Sequence, residues 1–248
     1  MILDEFGLPE KAKVNKIIPK KTIYENSELK KSEQELIKDS VEKIIWEYSL
    51  KESNINIDKY VDNGYEYIEV EFFTVIMRNE KNYREIGEIL QKTIPYPMVI
   101  IFEFKEKIAL NCAIKRVNKQ DNTKMIIEEN IISEDINVNK ISENFYKLLE
   151  EINIKKLSFK NFYEFYKGIY DKIVLYNLSC VTGKYDEMQD SKKAQENIEL
   201  YKEIEGNIEV IKNKMKKEDQ LNKRVELGLE LEKLRKKLDG IKSLNIDK

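Results

Sequence analysis

Apolar residues recur along this chain in two rhythms, one of period two and one near 3.6. From Glu66 to Met77 the alternation is strict enough to predict a strand. Ile68, Val70, Phe72 and Ile76 share one face, and Glu69 and Glu71 point the other way. A helix follows near 81–93, with Tyr83, Ile86, Ile89 and Leu90 on its inner side. Pro95 and Pro97 stop it and launch Met98 to Phe102, an unbroken apolar run that reads as a central strand. Lys105–Glu106 then serves as a tight turn into a strand over Lys107–Val117. Asn118–Asn122 is a second turn, and Lys124–Ile132 a further strand.

Helical spacing governs both ends of this block. Ser32, with Glu35 three residues on, has the form of a capping box. Leu36, Ile37, Val41, Ile44, Ile45 and Tyr48 then predict a helix near 33–49. Beyond Asp135, Ile141, Phe145, Leu148, Leu149 and Ile152 mark one helix. A second, aromatic one runs through Phe159, Phe162, Tyr163, Tyr166, Ile169, Tyr170 and Ile173. The tail carries two seams, Ile204, Ile208, Ile211 and Met215, then Leu227, Leu231, Leu234, Leu238 and Ile241, each stepping by threes and fours as in a coiled coil. They are out of phase, so across Lys216–Arg224 the chain either stutters within one rod or folds back as a hairpin.

These elements imply an α+β fold: a mixed, mostly antiparallel sheet with flanking helices, followed by a C-terminal helical or coiled-coil segment. The expected divisions are an extended Lys-rich arm over 1–31, an α+β domain over 32–185, and a coiled coil or helical hairpin over 186–248. The arm is expected to lie on the domain through Leu8, Val14, Ile17, Ile18 and Tyr24.

Composition narrows the chemistry. The 248 residues include no histidine and two cysteines, Cys112 and Cys180. That removes imidazole bases, His-ligated metals, Cys-rich zinc sites and iron–sulfur clusters. No cofactor is expected. The 44 basic and 46 acidic side chains nearly balance, so any nucleic-acid contact must come from a local patch. The richest is Lys11, Lys13, Lys16, Lys20 and Lys21, which suits phosphates or an acidic protein surface and equally suits a solvated segment. No run of eighteen apolar residues exists and the opening residues lack the apolar stretch of a signal peptide, so a cytoplasmic protein with no membrane contact is expected.

Two chemical candidates remain. Glu103-Phe104-Lys105 matches the E-x-K fragment of Mg²⁺-dependent nucleases, in which Glu69 or Glu71 would supply the missing carboxylate. A charged strand end at a turn explains the same tripeptide without chemistry, and Glu69 and Glu71 suit the wet face of an antiparallel sheet. The aromatic helix could stack bases, but its spacing is that of a buried face.

The string Leu8-Pro9-Glu10-Lys11-Ala12-Lys13-Val14-Asn15-Lys16-Ile17-Ile18-Pro19-Lys20-Lys21 with Tyr24, together with Val41–Trp46, Asn54–Ile57 and Gln220–Leu227, resembles the bacterial family called domain of unknown function 4391. The resemblance brings no catalytic residues. It implies a companion of DNA methyltransferases and superfamily 2 helicases in restriction–modification or anti-phage loci. The resulting expectation is a non-catalytic accessory subunit, with a methyltransferase or helicase subunit as partner and DNA as a second candidate. Ile204, Ile208, Ile211, Leu231, Leu234 and Leu238 would mediate assembly, including a homo-oligomer through the coiled coil. The alternatives are the E-x-K nuclease and a purely structural oligomer.

Overall fold

A computed structural model describes residues 2–25, 29–62 and 64–245, so Met1, part of the expected arm and the last three residues lie outside the described set. Two compact units divide the chain, residues 1–173 and 174–248.

The first unit begins with a one-turn helix α1 (Ile2–Glu5), strand β1 (Lys13–Ile17) and helix α2 (Lys20–Glu25). Helix α3 (Lys31–Ser40) then runs without a loop into strand β2 (Val41–Lys51). Half of the helix expected over 33–49 is therefore strand. Val41, Ile44 and Ile45 are β-branched, and together with Trp46 and Tyr48 they pack better on a pleated surface. Their spacing mimicked a helix because β2 buries residues on both faces and a register shift falls between Trp46 and Tyr48. The helix start also differs: Glu33 accepts from the Lys30 N–H, so Ser32 lies inside the helix.

A short hairpin, β3 (Tyr60–Asp62) and β4 (Tyr65–Tyr67), precedes β5 (Glu69–Met77). Helix α4 (Tyr83–Thr93) crosses over to β6 (Met98–Phe104), which pairs parallel to β5. Strands β7 (Lys107–Asn118) and β8 (Asp121–Ile132) extend the sheet as an antiparallel meander, and the two-residue β9 (Ile136–Asn137) pairs with the start of β7. The order across the sheet is β1-β2-β5-β6-β7-β8, with β5·β6 as its one parallel ladder among the described residues. The fold is thus mixed α+β with a mostly antiparallel sheet. Lys105, at φ +53°, makes the tight turn between β6 and β7 as its neighbours predicted.

One face of the sheet packs Phe73, Val75, Met98, Ile100 and Phe102 against Ile37 of α3 and Ile86, Ile89 and Leu90 of α4. Gly87 allows a close approach there, since a Cβ would come within 3.3 Å of the Asn111 side chain and 3.4 Å of the Phe102 ring. On the opposite face Phe6 meets Phe72 edge-on at 5.3 Å. Helix α5 (Glu143–Ile152) buries Phe145 and Leu148. Helix α6 (Phe162–Thr182) inserts Tyr166, whose hydroxyl accepts from Ala113 N–H (2.9 Å) and donates to Met98 O (2.8 Å). Tyr163 stands among Tyr60, Tyr65 and Tyr67, with ring centroids 5.1–5.3 Å away. The aromatic spacing of this helix therefore serves packing.

In the second unit, α7 (Ser191–Lys217) and α8 (Leu221–Lys242) fold back on each other. Ile204, Ile208, Ile211, Leu231 and Ile241 are buried in one cluster, flanked by Met215, Leu227, Leu234 and Leu238. The hairpin resolves the phase break between the seams: Glu218 leaves the helical conformation and three residues turn the chain.

Tyr166→Phe removes a hydroxyl that satisfies two buried backbone groups at once. The expected loss is about 1–3 kcal/mol of unfolding free energy in urea titration, with native far-ultraviolet dichroism retained.

Candidate functional site

The sheet's central strands carry ionisable groups that alternation alone assigns to water. Glu71 was expected on a wet face; it is 3% exposed. Its carboxylate accepts from Ser49 Oγ (2.8 Å) and from Nε1 of Trp46, the sole tryptophan. The correction has a simple cause: β5 lies inside the sheet, between β2 and β6, and α3 and α4 cover the face that Glu71 shares with Phe73 and Val75. Burial pushes the Glu71 carboxyl up to about 7, against the pull of its two donors. Glu69, two residues earlier, is tied to Lys51 at 2.8 Å.

Lys115 of β7 is a second buried charge, unmarked in the sequence. Its Nζ donates to Ile94 O (2.8 Å) and Tyr96 O (2.9 Å), carbonyls just past the end of α4, where a cation complements the helix dipole. Burial lowers its ammonium to about 7. Beside it on the same face, Gln91 of α4 donates to Asn111 Oδ1 (3.0 Å), and Asn111 donates to Asn130 Oδ1 (2.7 Å). These groups fasten α4 to the sheet.

Glu103 and Lys105 stand elsewhere. In the parallel ladder Glu71 is level with Met98, and Glu103 with Ile76. Five residues separate the two levels, roughly 16 Å along the strand. The odd step also puts Glu103 on the face opposite Glu71. Glu69, Glu71, Glu103 and Lys105 are therefore not brought together and cannot share one Mg²⁺. Glu103 and Lys105 instead line a groove of about 410 Å³ at the carboxyl end of β6, with Ile108, Ile141, Phe145 and Leu149 among its apolar walls.

The five lysines near the N-terminus have divergent surroundings. Lys20 Nζ donates to Lys38 O and Val41 O at the end of α3, and burial lowers its pKa. Lys13 pairs with Glu10 (3.0 Å) and Lys21 with Glu25 (3.4 Å), leaving Lys11 and Lys16 exposed. Lys13 and Lys16 sit on β1, the sheet edge, flanking a register shift at Asn15 (φ +47°). Lysines and a bulge on an edge strand block unwanted strand pairing.

The seam residues Ile204, Ile208, Ile211, Leu231, Leu234 and Leu238 meet one another within the hairpin. A different stripe on α8 stays open: Leu221, Val225 and Leu229 are 74%, 55% and 57% exposed. Its spacing of four and four was visible in the sequence, masked by the stronger seam beside it.

Comparison with known families decides the kinship. The model of the family described as "Domain of unknown function (DUF4391)" matches residues 6–238. The chain belongs to this family. No curated protein and no solved structure matches it. Among the described residues, no helix is long and apolar enough to cross a membrane.

The two buried charges make stability depend on pH in opposite senses. Between pH 4.5 and about 7 the folded chain keeps a proton on Glu71 that the unfolded chain has released, so this contribution falls as pH rises. Between about 7 and 10.5 the unfolded chain holds a proton that folded Lys115 has lost, so that contribution rises with pH. Urea titrations across pH should show Glu71→Gln flattening the acid limb by up to about 3 kcal/mol and Lys115→Met the alkaline limb by up to about 5 kcal/mol. Trp46 fluorescence should titrate with a midpoint near 7 in the wild type and not in Glu71→Gln.

Proposed function

We propose that this chain is a non-catalytic accessory subunit of a restriction–modification-like or anti-phage defence system, which docks a protein partner on the outer side of its C-terminal hairpin. The observation that carries the reading is the second apolar stripe of α8. One side of this helix closes the hairpin through Leu227, Leu231, Leu234 and Leu238, while Leu221, Val225 and Leu229 face outward. A helix apolar on two sides is suited to sit between neighbours, and the hairpin supplies only one of them. Apolar side chains at i, i+4 and i+8 match the anchors of a helix laid into a partner's groove.

The partner class, a DNA methyltransferase or helicase subunit, rests on the family resemblance. Within this reading the seam residues act indirectly, by holding α8 in place. The scatter of the N-terminal lysines among ion pairs, a helix cap and an edge strand weighs toward a protein partner over DNA.

The test is co-expression with a methyltransferase and with a helicase subunit of such a system. Leu221→Asp, Val225→Asp and Leu229→Asp together should reduce co-purification at least tenfold. Each exposed position should change stability by no more than about 0.5 kcal/mol. Undiminished co-purification of the triple variant would reject this surface.

A further inference from the structure

The outward stripe of α8 is flanked by positive charge. The helix carries seven Lys or Arg against four Asp or Glu. From the helical period, Arg224 stands about 60° round the axis from Leu221, and Lys233 about 40° from Leu229 on the other flank. Arg235, eleven residues after Arg224, returns to nearly the same line roughly 16 Å further along. Two of the chain's five arginines therefore border one edge of the stripe. Arg224, Lys233 and Arg235 are exposed, and among the described residues their side chains enter no hydrogen bond or ion pair.

Three of the four acids of α8 are placed differently. Glu232, which continues the stripe toward the C-terminus, pairs with Lys236 at 3.4 Å. Glu226 and Glu230 share a groove with Lys214 and Lys217 of α7 and with Lys223. An arriving surface thus meets cations at the edges of the stripe, two of them guanidiniums whose forks suit carboxylates. A phosphate backbone offers nothing apolar to Leu221, Val225 and Leu229. A lipid surface takes a helix with one broad apolar face, whereas α8 divides its apolar residues between the hairpin seam and the stripe. A second copy would set one net-positive helix against another.

We infer, resting on the docking surface proposed above, that its occupant is an acidic amphipathic helix of the partner. The apolar side chains of that helix lie on Leu221, Val225 and Leu229, and its carboxylates face Arg224, Lys233 and Arg235. The apolar anchors supply affinity, while the charged flanks select the partner and set its register. These ion pairs form at an exposed rim, so added salt weakens docking.

Fluorescence anisotropy on the full chain tests the inference with two labelled, staple-stabilised helical peptides of equal length. Both carry leucines at i, i+4 and i+8; one has glutamates at the flanking positions and the other lysines. The acidic peptide should bind at least tenfold more tightly than the basic one, and replacing its leucines with serine should weaken it at least tenfold. Arg224→Glu with Arg235→Glu should reverse the preference, with an unfolding midpoint close to wild type. Absence of binding by the acidic peptide at 1 mM would overturn the inference. So would equal binding of the two peptides by the unaltered chain, a preference left unreversed in the double variant, or tighter binding to duplex DNA or to phosphatidylserine vesicles. A dimer that light scattering finds in the wild type and not in the Leu221→Asp, Val225→Asp, Leu229→Asp variant would also overturn it, by giving the stripe to a second copy. Failure of the docking surface itself reads differently. If the triple variant loses the co-purified partner while the double arginine variant keeps it, the surface stands and the acidic helix falls; if the triple variant keeps the partner, both fall.

Discussion

Strands β5 and β6 are buried on both faces, and this double burial constrains everything around them. Val70, Phe72 and Ile101 need cover on one side of the sheet, Phe73, Val75 and Ile100 on the other. The parallel pairing of β5 and β6 demands a crossover, and α4 supplies both the connection and half of that cover. A polar group caught in such a layer must be satisfied within the protein. Glu71 has Trp46 and Ser49, Lys115 has the carbonyls beyond α4, and Gln91 has Asn111. The resulting polar contacts fix where α4 lies, and a greasy interface alone would specify its position less tightly.

Legibility followed the kind of burial each segment meets. The run Met98–Phe104 and the helix over Tyr83–Thr93 were plain because Pro95 and Pro97 separate a continuous apolar stretch from a 3.6-residue period. Strand β2 was misread because a strand buried on both sides loses its alternation, and the register shift near Glu47 restores spacings of three and four. Strand β1 left no signal, since only Val14 among its five residues turns inward. The burial of Glu71 was invisible: a glutamate alternating with valine and phenylalanine looks the same on a wet face and on a covered one. The hairpin between α7 and α8 lacked a Gly or Pro to announce its turn, and the phase break in the leucine seams was the sole cue.

The same reasoning separates residues that build the protein from residues that are available to others. Most candidates singled out by composition turn out to be engaged: lysines guard an edge or cap a helix, and seam residues close a hairpin. What stays unengaged is smaller and differently placed. It includes an apolar stripe on the outside of α8.

Hydrogen–deuterium exchange on the chain mixed with the proposed methyltransferase or helicase partner tests the central claim most directly. The account predicts slowed exchange concentrated in Leu221–Glu230 of α8, with the sheet strands unchanged. Protection confined to other segments, with α8 exchanging as it does in the isolated chain, would contradict it.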